Sequence, residues 1–401
     1  MEINRKLFLT VLSQIKAHND IIIVRDSPAE DKSIDILYQL RALKPPLILN
    51  GIIKITIPVS GCSIDLFDDP PFEKLGEPIL TYPNRIIGIL KNAETCIISN
   101  GAINGIGVNI KNTDPEYQLI QIITEMYDKY SNIFNKDYAS FSMRQKDYSY
   151  MAGESSKFVS KDPTRYFMTG ICFDFNRSED SAVNIVATDG KKLCCMNKKL
   201  NNEKIKGEFI IIPECLFVPS SNFNTVQFNF SEKSCRLIIK TEGYYFESFF
   251  NTSDYDYPNY IRVIPKLSEK TEWFTLNPSS FRMAIDSVKN LMDKDDSIYL
   301  NAENIESLSI TAGGATLEVE GTASRPMHVS FLWQQLSPCL FDEVSFTKFY
   351  LDGSNKAVLS NETVKGLTMD VIKIFQPTTP ESFEGLDEFC IPNSSFAEAG
   401  G

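Results

Sequence analysis

Between residues 164 and 193 the apolar positions alternate. Ile171, Phe173 and Phe175 alternate with Cys172 and Asp174, and Val183, Ile185 and Ala187 alternate with Asn184 and Val186. A period of two puts one set of side chains on one face, so the spacing predicts two β-strands joined by a polar loop at Asn176–Ser181. At Thr188-Asp189-Gly190 a tight turn reverses the chain, because glycine accepts positive φ without a Cβ clash. Apolar Met168 and Leu193 then stand at the two ends of the pair.

Three stretches switch to helical spacing. Residues 2–19 place Leu7, Val11, Leu12 and Ile15 on one face; residues 142–161 have the same character; residues 279–294 align Phe281, Ala284, Ile285, Val288 and Met292. Their starts lie about 140 residues apart. That period suggests three domains of one architecture, because solenoid repeats are far shorter. Each helix leads into strands, a second short helix and more strands. In the middle repeat these are a strand at Phe209–Ile212, a helix begun by Pro213 at its favoured first turn, and a hairpin of Val226–Phe230 with Leu237–Lys240. The last repeat follows with Met327–Phe331, a helix from Leu332 to Leu340, Glu343–Leu351, a D-G-S-N turn at 352–355 and Ala357–Leu359. In the first repeat Pro83–Leu90 is the second helix, followed by strands at Cys96–Ser99 and Gly107–Lys111; D-D-P-P at 68–71 blurs the strand signal before it.

The pattern therefore predicts an α+β protein with a divergent first domain over 1–115, a second over 138–265 and a third over 266–376. Residues 116–137 are a linker or inserted helix, amphipathic through Leu119, Ile122, Ile123 and Met126. Residues 377–401 carry five acids and no base, the composition of a flexible tail.

Composition narrows the function classes. At 401 residues and 43% hydrophobic content the chain has material for two or three cores. It contains no run of about 18 uncharged apolar residues, so no membrane span is expected. The start, M-E-I-N-R-K, is charged early and lacks a small-residue cleavage site, which predicts a helix and a cytoplasmic protein. The nine cysteines are scattered without a C-x-x-C pair, and His18 and His328 are the two histidines, so no metal site, cofactor or catalytic triad is expected. G-A-I-N-G-I-G at 101–107 lacks both the G-x-G-x-x-G order and a phosphate-loop lysine, and predicts hairpin turns.

Charge changes the picture once more. The chain carries −12, yet the leading helices run the other way. Arg5, Lys6 and Lys16 oppose Glu2, for +2; Arg144, Lys146, Lys157 and Lys161 oppose Asp147 and Glu154, for +2; Arg282, Lys289 and Lys294 oppose Asp286 and Asp293, for +1. On one shared surface, such helices would attract phosphates without reading bases. Charge alone leaves open the alternative that they are ordinary solvated helix faces.

R-Y-F-M-T-G-I-C-F-D-F at 165–175, V-A-T-D-G-K-K-L at 186–193, I-I-I-P at 210–213 and Y-P-N-Y-I-R-V-I-P at 257–265 together closely resemble the second domain of the bacterial DNA polymerase III beta subunit, the sliding clamp. The third repeat resembles that family more loosely, and the first has little beyond helix placement. The resemblance implies three repeated clamp domains with antiparallel sheets outside and helices lining the inner face. Two chains then close into a homodimeric ring around duplex DNA, which tethers the replicative polymerase and confers processivity without catalysis. Arg5, Lys6, Lys16, Arg144, Lys146, Lys157, Lys161, Arg282 and Lys289 would face DNA.

The same resemblance implies a pocket for a short peptide with apolar anchors. Carried over, it is built from Met168, Thr188, Leu193, Pro258, Arg262 and Val263, and from Ala357, Met369 and Val371, where L-T-M-D-V-I-K-I-F at 367–375 departs from the family's closing motif. The implied partners are the DNA polymerase III catalytic subunit, the clamp loader, and other clamp-binding proteins such as repair polymerases, ligase and mismatch-repair proteins, in the cytoplasm at the nucleoid. Lys191 and Lys192 stand where family members commonly carry a His-Arg pair. Within the acidic tail, G-L-D-E-F at 385–389 loosely resembles the peptide that partners insert. Two other readings stay open: a clamp-like interaction scaffold that does not encircle DNA, motivated by the divergent first domain, and an enzyme of unknown class.

Overall fold

The computed structural model describes the chain except residues 1, 16–20, 29–32, 45–46, 61–74, 76, 100, 111–118, 135–138, 178–180, 201–204, 217, 232, 253–254, 269, 294–295, 342–343, 352–357, 363–366, 368 and 376–401. Lys16, His18, Ala357, the turn at 352–355 and the acidic tail thus lie outside the described residues. The class is α+β with antiparallel sheets, and the chain forms two compact units. Unit 1 is Met1–Ala187 with Asn197–Pro258, and unit 2 is Thr188–Met196 with Asn259–Gly401.

Unit 1 is built on a long sheet whose main path runs Ile106–Gly107, Ala102–Ile103, Cys96–Ser99, Glu2–Ile3, Leu47–Ser60, Tyr245–Asn251, Ser234–Thr241, Phe223–Ser231 and Ala139–Arg144. The join between its early and late parts is the ladder from Tyr245↔Thr56 to Phe250↔Gly51. Strand Ser33–Lys44 pairs with Leu47–Ser60 along its whole length, from Ser33↔Pro58 to Lys44↔Leu47. This hairpin went unpredicted because its apolar residues do not alternate. Ile34, Ile36, Leu37, Tyr38, Ile52, Ile53, Ile55 and Ile57 are all buried, so both faces are covered and the sequence shows runs where a half-exposed strand shows a period.

Helix α1 (Arg5–Ile15) buries Phe8, Val11, Leu12 and Ile15 at helical spacing. It starts later than the predicted residue 2 because Glu2 and Ile3 pair with Ser60 and Val59 on one side and Ile97 and Cys96 on the other. Asn4 then caps it, its Oδ1 accepting from the Leu7 N–H at 3.0 Å. Helix α2 (Pro83–Leu90) matches its prediction, with Pro83 in the first turn. Helix α3 (Leu119–Ile133) falls within the predicted 116–137. Helix α4 (Gln145–Ser156) is shorter than the predicted 142–161, because Ala139–Arg144 is drawn into the sheet by Phe223–Ser231.

The predicted pair at 171–188 is present: strand Ile171–Asp174 lies between Glu208–Ile211 and Ala182–Thr188, with Phe173 opposite both Phe209 and Ile185. Residues 163–168 ahead of it form a 3-10 turn, and Pro213–Cys215 is likewise a single 3-10 turn where a short helix was predicted. Aromatic rings fill the space between the sheets: Phe141 stacks on Phe228 at 5.0 Å, Phe173 meets Phe228 at 5.3 Å and Phe209 meets Phe230 at 4.5 Å.

Unit 2 carries the order Lys192–Lys199 (to Met196), Met369–Phe375, Val358–Glu362, Thr347–Leu351, Trp273–Leu276 and Gly321–Ala323, plus a separate sheet Ala315–Val319, Leu308–Ala312, Ser297–Ala302 and Met327–Leu332. Helix α5 (Pro278–Val288) opens with Asn277, whose side chain accepts from the Ser279 and Ser280 N–H groups, and continues as a 3-10 turn to Leu291. Helix α6 (Trp333–Leu336) runs into the 3-10 turn Ser337–Cys339, both within the predicted 332–340. All seven described cysteines are buried among the strands and helices, as small weakly polar side chains tend to be.

Candidate partner-binding and DNA-facing residues

In unit 2 the Thr188–Lys192 turn is held by its own polar atoms. Gly190 has φ +88°, a conformation that Cβ-bearing residues rarely adopt. Asp189 Oδ1 accepts from the Lys191 and Lys192 N–H groups, both at 2.9 Å. Thr188 Oγ1 donates to the Lys192 carbonyl at 2.7 Å and accepts from the Gly190 N–H at 3.1 Å. The turn delivers Leu193 into the strand next to Met369–Phe375, which carries Met369 and Val371. Leu193, Met369 and Val371 are all buried, as is Thr188. Arg262 and Val263 are different: both are exposed, on the 3-10 turn Tyr260–Val263, which the buried Tyr260 ring anchors.

Met168 and Pro258 belong to unit 1. Met168 is buried at the end of the 3-10 turn Pro163–Met168, and its carbonyl accepts from the Ser160 N–H at 2.8 Å. Asp162 starts that turn by accepting from the Thr164 N–H and hydroxyl, bonds that hold its carboxyl below the ordinary value. Pro258 is half-buried beside Tyr257, whose N–H points to Glu208.

Unit 2 contains one residue that the sequence reading missed. Lys373 is 1% exposed, donates to the Pro338 and Leu340 carbonyls at 3.0 and 3.3 Å, and lies 4.5 Å from the centre of the Phe341 ring. It thus places a cation where the last carbonyls of the α6 segment gather, ground that favours positive charge. The signal was available: Met369, Val371 and Lys373 share one phase of the strand, so the alternation points the lysine inward.

Several of the expected DNA-facing cations are committed locally. Arg5 donates through Nε and Nη2 to the Leu90 and Lys91 carbonyls at 2.8 and 2.9 Å, capping the end of α2. Arg144 pairs with the buried Asp147, which also receives Lys198 at 3.3 Å. Lys157 pairs with Glu154 and Lys289 with Asp286, each one turn away. Lys146 is exposed and Arg282 half-buried. Lys6 and Lys161 are exposed with no ion-pair partner among the described residues. No helix among the described residues is long and apolar enough to cross a membrane, and no group of three or more His, Cys, Asp and Glu among them is arranged to hold a metal.

No family model and no curated sequence matches the chain. Solved structures do. The DNA polymerase sliding clamp of Pseudomonas aeruginosa superposes with a TM-score of 0.68 at 15% identity, over 94% of this chain and 99% of that one. The clamp of Bacillus subtilis gives 0.65 at 17% identity, over 94% and 98%. The clamp of Bartonella birtlesii, solved bound to griselimycin, gives 0.67 at 17% identity, over 94% and 99%. The chain therefore has the fold of the DNA polymerase III beta sliding clamps, at an identity that marks it as divergent.

Proposed function

We propose that this chain is a DNA sliding clamp, a non-catalytic ring of two copies that encircles duplex DNA and tethers a polymerase. The likeness to clamp structures across almost the entire chain carries the reading, because a clamp acts through its topology and needs no reacting group. In this reading residues 1–115, 138–265 and 266–376 are the three repeats, and 116–137 is a linker or inserted helix. A second copy would cover apolar side chains left exposed: Ile97 and Ile106 at the edge hairpin of unit 1, and Met283 on α5 of unit 2. Unpaired Lys6 and Lys161 would supply sequence-independent attraction for phosphates, joined by Lys146. The partner site is centred on the exposed Arg262 and Val263 of unit 2, the unit that also carries Thr188, Leu193, Met369 and Val371; Met168 and Pro258, which the resemblance also implies, belong to unit 1. Its partners would be a DNA polymerase III catalytic subunit, a clamp loader and further peptide-bearing repair proteins, at the nucleoid in the cytoplasm.

The clamp-like scaffold that does not encircle DNA is the second reading. The commitment of Arg5, Arg144, Lys157 and Lys289 to carbonyls and carboxylates favours it, since each such contact lowers the charge offered to phosphate. One experiment separates the two. Loaded onto nicked circular DNA by a bacterial clamp loader, a ring stays on the circle and leaves when the circle is cut. A scaffold never associates, and a direct DNA binder stays after cutting.

A further inference from the structure

Residues 261–268 and Lys270 of unit 2 present an unusual surface for a chain of net charge −12. Ile261, Val263 and Leu267 are exposed to 44, 52 and 42%, and exposed Arg262, Lys266 and Lys270 are interleaved with them. None of those three cations has an ion-pair partner among the described residues. Exposed apolar side chains and unpaired cations so close together mark an interaction surface, and they fix its chemistry: the occupant is acidic and carries apolar side chains at short intervals.

The same chain holds such a segment. Residues 381–389, E-S-F-E-G-L-D-E-F, combine Glu381, Glu384, Asp387 and Glu388 with Phe383, Leu386 and Phe389, and contain no base. Five residues separate them from strand Met369–Phe375, the last described element of unit 2. The intervening residues 376–380 can span roughly 17 Å when extended. A tether of that length that spans its site holds its cargo at an effective concentration on the order of millimolar, enough for a weak site to be filled.

We infer that the acidic segment 381–389 docks on the surface of residues 261–268 and Lys270 of its own chain, Phe383, Leu386 and Phe389 covering Ile261, Val263 and Leu267 while the carboxylates pair with Arg262, Lys266 and Lys270. The inference rests on the partner-site reading of Arg262 and Val263, and adds regulation to it: the tail is a tethered competitor that a partner peptide must displace. Because the attraction is between exposed charges, it weakens as salt rises.

The test is hydrogen exchange on the full chain, with no DNA present. Backbone amides of residues 261–267 are expected to exchange about tenfold faster in two variants than in the wild type. One is the charge reversal E381K/E384K/D387K/E388K and the other the apolar deletion F383S/L386S/F389S. A free, dye-labelled peptide of residues 377–396 is expected to bind the charge-reversed chain about tenfold tighter than the wild type, and to lose that binding when Arg262→Glu and Lys266→Glu are added. Equal exchange in all three chains, or protection that appears only as protein concentration rises, overturns the intramolecular contact. The readout is independent of ring loading. A chain that slides on DNA without a tail effect removes this inference alone, and a tail effect in a chain that never encircles DNA removes the clamp reading alone.

Discussion

Lys54 Nζ lies 2.8 Å from Glu247 Oε2, across neighbouring strands whose register sets the two residues opposite each other. Both side chains are nearly closed to solvent, at 7 and 2%. Arg236 reaches the other oxygen of Glu247, and Lys54 also donates to the Tyr127 hydroxyl at 3.0 Å. Tyr127 comes from α3, which lays Ile120, Ile123, Met126 and Tyr127 over Leu37 and Ile52, and Tyr130 and Phe134 over Phe249. The pair therefore sits where the early and late strands of unit 1 join, beneath helix α3.

Removing one partner of a buried, shared carboxylate leaves charge without compensation. Burial pulls the Lys54 pKa down, but Glu247 and then Tyr127 more than offset this and leave it raised. The contribution is complete below the ordinary lysine value and lost only as pH climbs through the raised one, so it is present at neutral pH. Glu247→Gln is expected to cost about 3 kcal/mol at pH 7, with the buried Lys54 and the half-buried Arg236 left facing a neutral amide. Both tryptophans, Trp273 and Trp333, lie in unit 2. The loss should thus appear in urea unfolding followed by circular dichroism and not in tryptophan fluorescence; equal shifts in both would count against a defect local to unit 1.

Asp35 supplies the opposite sign. It is fully buried next to that pair, Thr56 Oγ1 donates to its Oδ1 at 2.7 Å, and no hydrogen bond reaches Oδ2 among the described residues. Burial raises its pKa, against the smaller effects of Thr56 and Lys54. A carboxyl whose folded pKa is raised binds a proton more readily folded than unfolded, so it weakens the fold above the raised value and this penalty fades as pH falls through it. Asp35→Asn is expected to raise the melting temperature at pH 7 and to gain less at mildly acidic pH. A gain that grows on acidification would show the sign to be wrong.

Lys373 makes the matching prediction for unit 2. Lys373→Met keeps the length of the side chain and removes the donor, leaving the Pro338 and Leu340 carbonyls without it. Leaving buried acceptors unmatched costs about 1–3 kcal/mol. Tryptophan fluorescence, which reports unit 2, should shift to lower urea while the unit 1 transition stays in place. An unchanged fluorescence midpoint would mean that water replaces the ammonium at no loss.

What the sequence disclosed and concealed follows from how each segment meets solvent. The 171–188 pair and the Asp-Gly turn were legible because one strand face repeats an apolar residue every second position and because only certain residues tolerate the φ of Gly190. Pro83 announced α2, since a proline fixes the first turn. The hairpin 33–60 was concealed by burial on both faces: with α3 outside and the core inside, Leu37 and Ile52 are as apolar as Ile36 and Ile53. The amphipathic pattern of α3 was visible, but not the sheet surface that it covers. Among candidate site residues, the motifs at 165–175, 186–193 and 257–265 could be named only through a family resemblance, and charge counting could not foresee that Arg5 would be taken by the end of α2. That contact joins residues 85 and 86 positions apart, beyond any local pattern.

The exposure pattern also decides which substitutions can test the partner site. Leu193, Met369 and Val371 are buried, so a charge there would damage folding and report nothing about binding. Val263 is 52% exposed on an anchored turn, and Arg262 beside it is exposed as well. Val263→Glu places a carboxylate where an apolar anchor would settle, and Arg262→Glu reverses the local charge, without emptying the core. Losing one buried apolar anchor is worth roughly 1.5–3 kcal/mol, or about ten- to a hundredfold in affinity. Titration with a labelled clamp-binding peptide should show that loss for V263E, with the urea midpoint of tryptophan fluorescence unchanged. Wild-type peptide affinity in V263E/R262E would remove this turn from the site and move the search to surfaces of unit 1.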